Sequence, residues 1–203
     1  MMPLSTQRAL ESLAVVETIM KMKNLVRAFL FFAVFALLAS SARATFDMFL
    51  KIEGPVIEGE STTPGYTNQM QLFSYSQGIY NPSSSDTNGV HSGRASVSSL
   101  NVMKTLDKGS PLLLFNSNQG TRIGKVTLSL VSAGASGGLI CTVYMEDVLI
   151  ESVQHSGSSG GDDRPTESVS FACSRIRWTY YPTPGSQAGK VESGWNYATN
   201  VPF

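Results

Sequence analysis

Between Glu146 and Tyr180, two runs of alternating apolar and polar residues flank a break of glycine and serine, and this arrangement leaves few folds open. Before the break, Val148, Ile150 and Val153 sit among polar neighbours. After it, Val169 and Phe171 alternate with Ser168, Ser170 and Ala172, and Ile176, Trp178 and Tyr180 continue the alternation on the other parity. A period of two on both sides of a turn-forming segment predicts two antiparallel strands. Gly157 to Pro165 is then the extended loop between them.

Upstream the same period recurs. Phe46, Met48, Leu50 and Ile52 share one face, Asp47, Lys51 and Glu53 take the other, and Gly54-Pro55 ends the strand. After a polar loop over Glu58–Asn68, the run Gln69–Ser76 is apolar on both faces, with Met70 and Leu72 on one parity and Phe73 and Tyr75 on the other. Such a strand is either central or packed against a partner chain. Gly78–Gly93 reads as a long exposed loop, uncommon in compact domains unless it has a role. A strand pattern resumes over Arg94–Thr105. One helix is expected from Ser110, the N-cap, and Pro111, the first helical residue, to Asn118-Gln119-Gly120. Further strands are expected over Arg122–Ser132, Leu139–Met145 and Lys190–Tyr197. Many strands, frequent glycine turns and one short helix predict a mostly antiparallel β-barrel or sandwich.

The amino-terminal end has a different character. Lys21, Lys23 and Arg27 precede the apolar run Ala28–Ala39, and Ala42-Arg43-Ala44 follows. This order describes a secretory signal peptide cleaved between Ala44 and Thr45, with Met20 or Met22 as alternative starts. The apolar run is too short for a spanning helix, which needs about 20 residues, so no stable membrane anchor is expected after cleavage. The chain therefore divides into a leader with its extension, 1–44, and one domain, 45–203.

Cleavage would remove five of the 15 Lys and Arg but only two of the 15 Asp and Glu, leaving a mildly acidic domain. Nucleic-acid binding relies on clustered cations and is excluded as an expectation. Export to an oxidising compartment permits a disulfide between Cys141 and Cys173, while two free buried thiols suit the same strand-like runs.

The search for chemistry yields no constellation. His91 and His155 lie in separate segments and the cysteines are not paired as C-x-x-C, so no metal site is expected. Gly157-Ser158-Ser159-Gly160-Gly161 matches G-x-S-x-G formally, but a nucleophile elbow needs a helix leaving it, and here a strand leaves. Asp162 and Asp163 are adjacent loop residues, which usually point apart. Arg164 suits pairing with a nearby carboxylate, and Pro165 pre-sets the entry to the next strand. No catalytic residue and no cofactor is assigned.

Four separated blocks carry a resemblance. They are Phe46–Gly54 with Ile57-Glu58-Gly59-Glu60-Ser61; Leu106-Asp107-Lys108-Gly109-Ser110-Pro111-Leu112-Leu113; Leu149, Ile150 and Ser152 followed by Gly160-Gly161-Asp162-Asp163-Arg164-Pro165-Thr166-Glu167-Ser168-Val169-Ser170; and Gly194-Trp195. In this order they resemble the Hcp (haemolysin-coregulated) proteins, the tube subunits of type VI secretion systems. At the last block Asn196 stands where the family's closing Gly-Trp-Asp has an acid.

The resemblance implies a β-barrel of two packed sheets with one short flanking helix, and no enzymatic activity. It implies a secreted homohexameric ring, stacking into a tube that works with a contractile sheath and a spike and carries small effectors. On this reading the Gly157–Pro165 loop lies where one ring meets the next, making Asp162, Asp163, Arg164, Pro165, Glu167 and Ser168 assembly candidates. The leader departs from the family's cytoplasmic loading. An alternative follows: an exported relative passing through the periplasm, a binding or structural protein independent of the contractile machine.

Overall fold

A computed structural model describes Lys23 and residues 46–133, 137–159 and 164–203. The leader assigned to residues 1–44 lies outside the described residues apart from Lys23, and Asp162 and Asp163 lie outside them too. Among the described residues, no helix is long and apolar enough to cross a membrane.

The first elements are β1 (Phe46–Glu53), β2 (Met70–Leu72), β3 (Ser74–Ser76), β4 (Ile79–Tyr80), β5 (Ser83–Asp86), β6 (Gly89–Ser92) and β7 (Ser96–Val97). They are followed by β8 (Leu100–Thr105), α1 (Ser110–Gln119), β9 (Ile123–Ser132), β10 (Leu139–Ser156), β11 (Thr166–Tyr180), β12 (Val191–Asn196) and β13 (Val201–Pro202). The β10–β11 ladder is the spine, antiparallel from Cys141 opposite Tyr180 to Ser156 opposite Thr166. β9 pairs with β10, and β1 with β9. β11 is long enough to serve two further partners: Arg175–Tyr180 pairs with β12, and Thr166–Phe171 pairs with β8.

The wrap is almost a barrel. Residues 70–76 were expected as one strand, but they change partner midway: β2 pairs with β1 and β3 with β8. At the change, the Phe73 amide donates to the Met103 carbonyl at 2.8 Å. The ladder itself does not close on a shared strand, so chain continuity through Phe73 joins its two edges.

The parity switch seen in the sequence has a local cause. On β10, Val143 and Met145 point into the core, then Val148 and Ile150 do; on β11, Val169 and Phe171 give way to Ile176. The switch falls at Asp147, whose φ of +54° is left-handed. Ladder pairing is interrupted there, between Glu146 opposite Arg175 and Val148 opposite Cys173. Aspartate tolerates this conformation because its short carboxylate finds local partners. Here Arg122 donates to it at 2.9 Å and Ser174 at 2.7 Å. A second irregularity lies between Ile150 and Ser152.

Met48, Leu50 and Ile52 are buried as their spacing predicts, but Phe49 on the opposite face is buried as well. Tyr66 stacks on it at 4.5 Å between ring centroids, so the polar 58–68 loop supplies an apolar lid. Gly78–Gly93, expected as a loop, is an exposed hairpin: β5 and β6 pair from Ser83 opposite Ser92 to Asp86 opposite Gly89, and β4 pairs with β7 below them. The helix lies where expected, ending at Gly120 with φ +61°. Its N-terminus differs. Gly109 occupies the cap position without a side-chain bond, and the Ser110 hydroxyl is used elsewhere.

Candidate functional site

Three of the sequence blocks converge at one end of the domain, around the base of the β10–β11 loop. Lys104 on β8 and Glu167 on β11 are each only 1% exposed, an arrangement that isolated charges do not survive. Their side chains meet at 2.5 Å. Lys104 also contacts Asp107 at 2.7 Å and donates to the Thr105 carbonyl at 3.1 Å. Glu167 accepts from the Ser110 hydroxyl at 2.6 Å and faces His155 Nε2 at 3.1 Å. Ser110 Oγ in turn accepts the Asp107 amide at 3.0 Å, and Asp107 Oδ1 accepts the Gly109 amide at 2.9 Å. The start of α1, the end of β8 and the open ends of β10 and β11 are thereby tied to one buried charge cluster.

A second, exposed layer covers it. Arg164 pairs with Glu60 at 2.8 Å, and Glu60 also accepts the Lys108 amide at 3.1 Å. The Arg164 hydrogen bond is the main reason that the Glu60 carboxyl titrates below its ordinary value. Lys108 Nζ reaches Glu58 at 2.9 Å, and the Pro165 carbonyl accepts the Leu106 amide at 2.9 Å. Two glycines make the convergence possible. A Cβ on Gly59 would lie 2.5 Å from the Gln69 carbonyl oxygen, and one on Gly109 would lie 2.7 Å from that of Glu58.

This geometry redistributes the expected site residues. Arg164 and Pro165 are exposed and Ser168 is half-buried, while Asp162 and Asp163 lie outside the described residues. Glu167, an assembly candidate in the sequence, is buried in the single chain and holds three partners within it. His155, set aside in the sequence as a metal ligand, has a side chain 38% exposed and bonded to Glu167. Lys104 was missed, because a lysine next to a threonine at a strand end carries no signal that it turns inward. Lys104, Ser110 and His155 converge on this one carboxylate and tie three elements of the fold to it.

The model of the family described as "Type VI secretion system effector, Hcp" matches residues 49–180. This chain belongs to the Hcp family. It is 29% identical over 160 residues to protein hcp1 of Pseudomonas aeruginosa, covering 76% of this chain and 97% of that one. A solved structure titled as that of a type six secretion system protein superposes with a TM-score of 0.72 at 28% identity, covering 78% of this chain and 99% of the other. A type VI secretion system effector from Yersinia pestis gives 0.60 at 27% identity, covering 74% and 99%.

Hcp proteins are secreted structural tube proteins and not enzymes. The blocks that carried the family likeness are the ones that build it: Glu58 and Glu60 from the first, Asp107, Lys108 and Ser110 from the second, Arg164 and Glu167 from the third.

Of the two states the sequence leaves open for the cysteines, the structure has the unbridged one. Both cysteines are free. Cys173 lies opposite Val148 and Cys141 opposite Tyr180, seven residues further along β11. At ~3.3 Å per residue the two are over 20 Å apart, far beyond bridging range. Burial raises both thiols, Cys173 to about 11. Among the described residues, no group of three metal-ligating side chains occurs.

Proposed function

We propose that this Hcp chain forms hexameric rings that stack into the type VI secretion tube, working with a sheath and spike and carrying small effectors. The observation that carries the reading is the family match over residues 49–180, running from β1 through β11. Large apolar side chains left in solvent support it: Phe73, Tyr80 and Val90 are each more than half exposed on the single chain. Assembly would cover such surface. Stacking would use the exposed Arg164 and Pro165 at the β10–β11 loop, together with half-buried Ser168 and the Asp162 and Asp163 next to them in sequence.

The basic, apolar and small-residue order of residues 21–44 supports export of the precursor and removal of 1–44, giving a stage outside the cytoplasm before assembly. N-terminal sequencing of the protein recovered from expressing cells should begin at Thr45. Negative-stain microscopy and sedimentation of that protein test the assembly. Rings of six, or a concentration-dependent mixture containing them, are expected. A monomer at high concentration with no ring in any field would overturn the reading.

A further inference from the structure

A cavity of about 350 Å³ lies away from the charge cluster, between the base of the exposed hairpin and the C-terminal strands. Its volume is within the range of small specific pockets, roughly 300–1,000 Å³. The chain has two tryptophans, and both Trp178 and Trp195 line it, with Tyr197 and Ile79. The two sides are already joined. Arg94 donates to the carbonyls of Tyr197 and Ala198, and Trp178 Nε1 donates to Gln77 at 3.2 Å.

Charge decides what such walls would accept. An aromatic pocket with a carboxylate would suit a cation. Among the described residues, Arg94 is the one charged residue lining this pocket, so its character is apolar with a positive edge. The matching ligand is an apolar group that bears a carboxylate.

The neighbouring strand edge selects the source of that carboxylate. β13 pairs with β12 at Trp195 and Asn196, so among the described residues the outer edge of Val191–Ser193 on β12 has no strand beside it. Ser193 also lines the cavity, so the edge runs into the pocket. An extended chain can pair with such an edge while its terminal residue fills a pocket beside it, the combination of strand addition and carboxylate capture.

We propose that this cavity binds the carboxyl-terminal residue of an extended polypeptide with an apolar last side chain. The side chain lies against Trp178 and Ile79, the carboxylate faces Arg94, and the preceding residues run along β12. This rests on the carrier role proposed above, for which it names a recognition element, but peptide binding and ring formation are read separately.

The test uses the purified protein and the acetylated tripeptide Gly-Val-Phe, as free acid and as carboxamide, with phenylacetate as the third probe. Intrinsic fluorescence reports on the site alone, since both tryptophans line it. Saturable binding of the acid is expected, at least tenfold tighter than of the amide or phenylacetate. In Arg94→Gln the preference for acid over amide should fall to about twofold, while amide binding remains and the unfolding midpoint shows that the domain is folded. No saturable change with the acid up to millimolar concentration would overturn the proposal, as would equal binding of acid and amide. Phenylacetate binding as tightly as the tripeptide would also overturn it, by assigning the pocket to small aromatic acids. Rings that form but bind no peptide would sink this inference and leave the tube reading standing; peptide binding without rings would do the reverse.

Discussion

Replacing Lys104 by Met removes the cation bonded to both Glu167 and Asp107 while keeping the length of the side chain. Glu167 would retain Ser110 and His155, and Asp107 would retain the Gly109 amide, but neither would have a full charge of opposite sign buried against it. Removing one partner of a buried ion pair costs about 3–5 kcal/mol, most of it the desolvated charge left behind. Against a total stability of about 5–15 kcal/mol, that is a large fraction. For a domain of this size it corresponds to a fall in Tm of roughly 6–20 °C. Glu167→Gln is milder, since Lys104 keeps Asp107, and a loss of about 1.5–3 kcal/mol is expected. The double variant K104M/E167Q should recover part of the K104M loss, because the orphaned charge on Glu167 is gone. Urea unfolding followed by tryptophan fluorescence, at one fixed protein concentration, measures all three. A K104M loss below about 1 kcal/mol, or a double variant whose losses simply add, would refute the claim that these charges are buried and coupled.

Arg164→Ala breaks an exposed pair with Glu60 and should leave the unfolding midpoint of the isolated domain essentially unchanged, while shortening the stacks seen by microscopy. Unchanged stack length would remove Arg164 from the assembly surface. Cys173, raised to about 11, should be about 0.1% thiolate at pH 8 and react slowly with a thiol reagent until denaturant is added, after which two thiols should titrate. A single thiol, or none, in the denatured count would contradict the free cysteines. The same shift fixes a sign. The unfolded chain loses this proton first, so stability present below about pH 9 declines as pH rises towards 11. Tyr144, raised to about 12 chiefly by burial, extends the decline upward, and a rise in midpoint between pH 9 and 11 would be inconsistent with both. Gly59→Ala places a methyl carbon 2.5 Å from the Gln69 carbonyl oxygen and should cost about 1–3 kcal/mol, read as a lower urea midpoint.

What the sequence disclosed and what it hid divide along physical lines. Alternation is a local signal, so the β10–β11 ladder, β1 and β12 were legible from residues two apart. Even the change of parity was visible, in the step from Phe171 to Ile176. Its cause was not, because a single aspartate in a left-handed conformation looks like any other exposed aspartate until Arg122 and Ser174 are seen to hold it. Partner exchange at Phe73 was hidden for a similar reason: pairing is set by strands distant in sequence, and the run 69–76 reads the same whichever strands it joins. The buried charges are the deepest case. Lys104, Asp107, Ser110, His155 and Glu167 come from four segments, and a polar residue with four polar neighbours elsewhere in the chain has no periodicity to betray it. The family blocks nevertheless marked two of those segments, through Asp107 with Ser110 and through Glu167. The stretch around Asp-Asp-Arg-Pro thus combines two unlike roles. Its exposed arginine faces outward, to Glu60 and the surface where rings are proposed to meet. Glu167, three residues on, is turned into the interior, and the clamp it anchors holds the base of that loop in place.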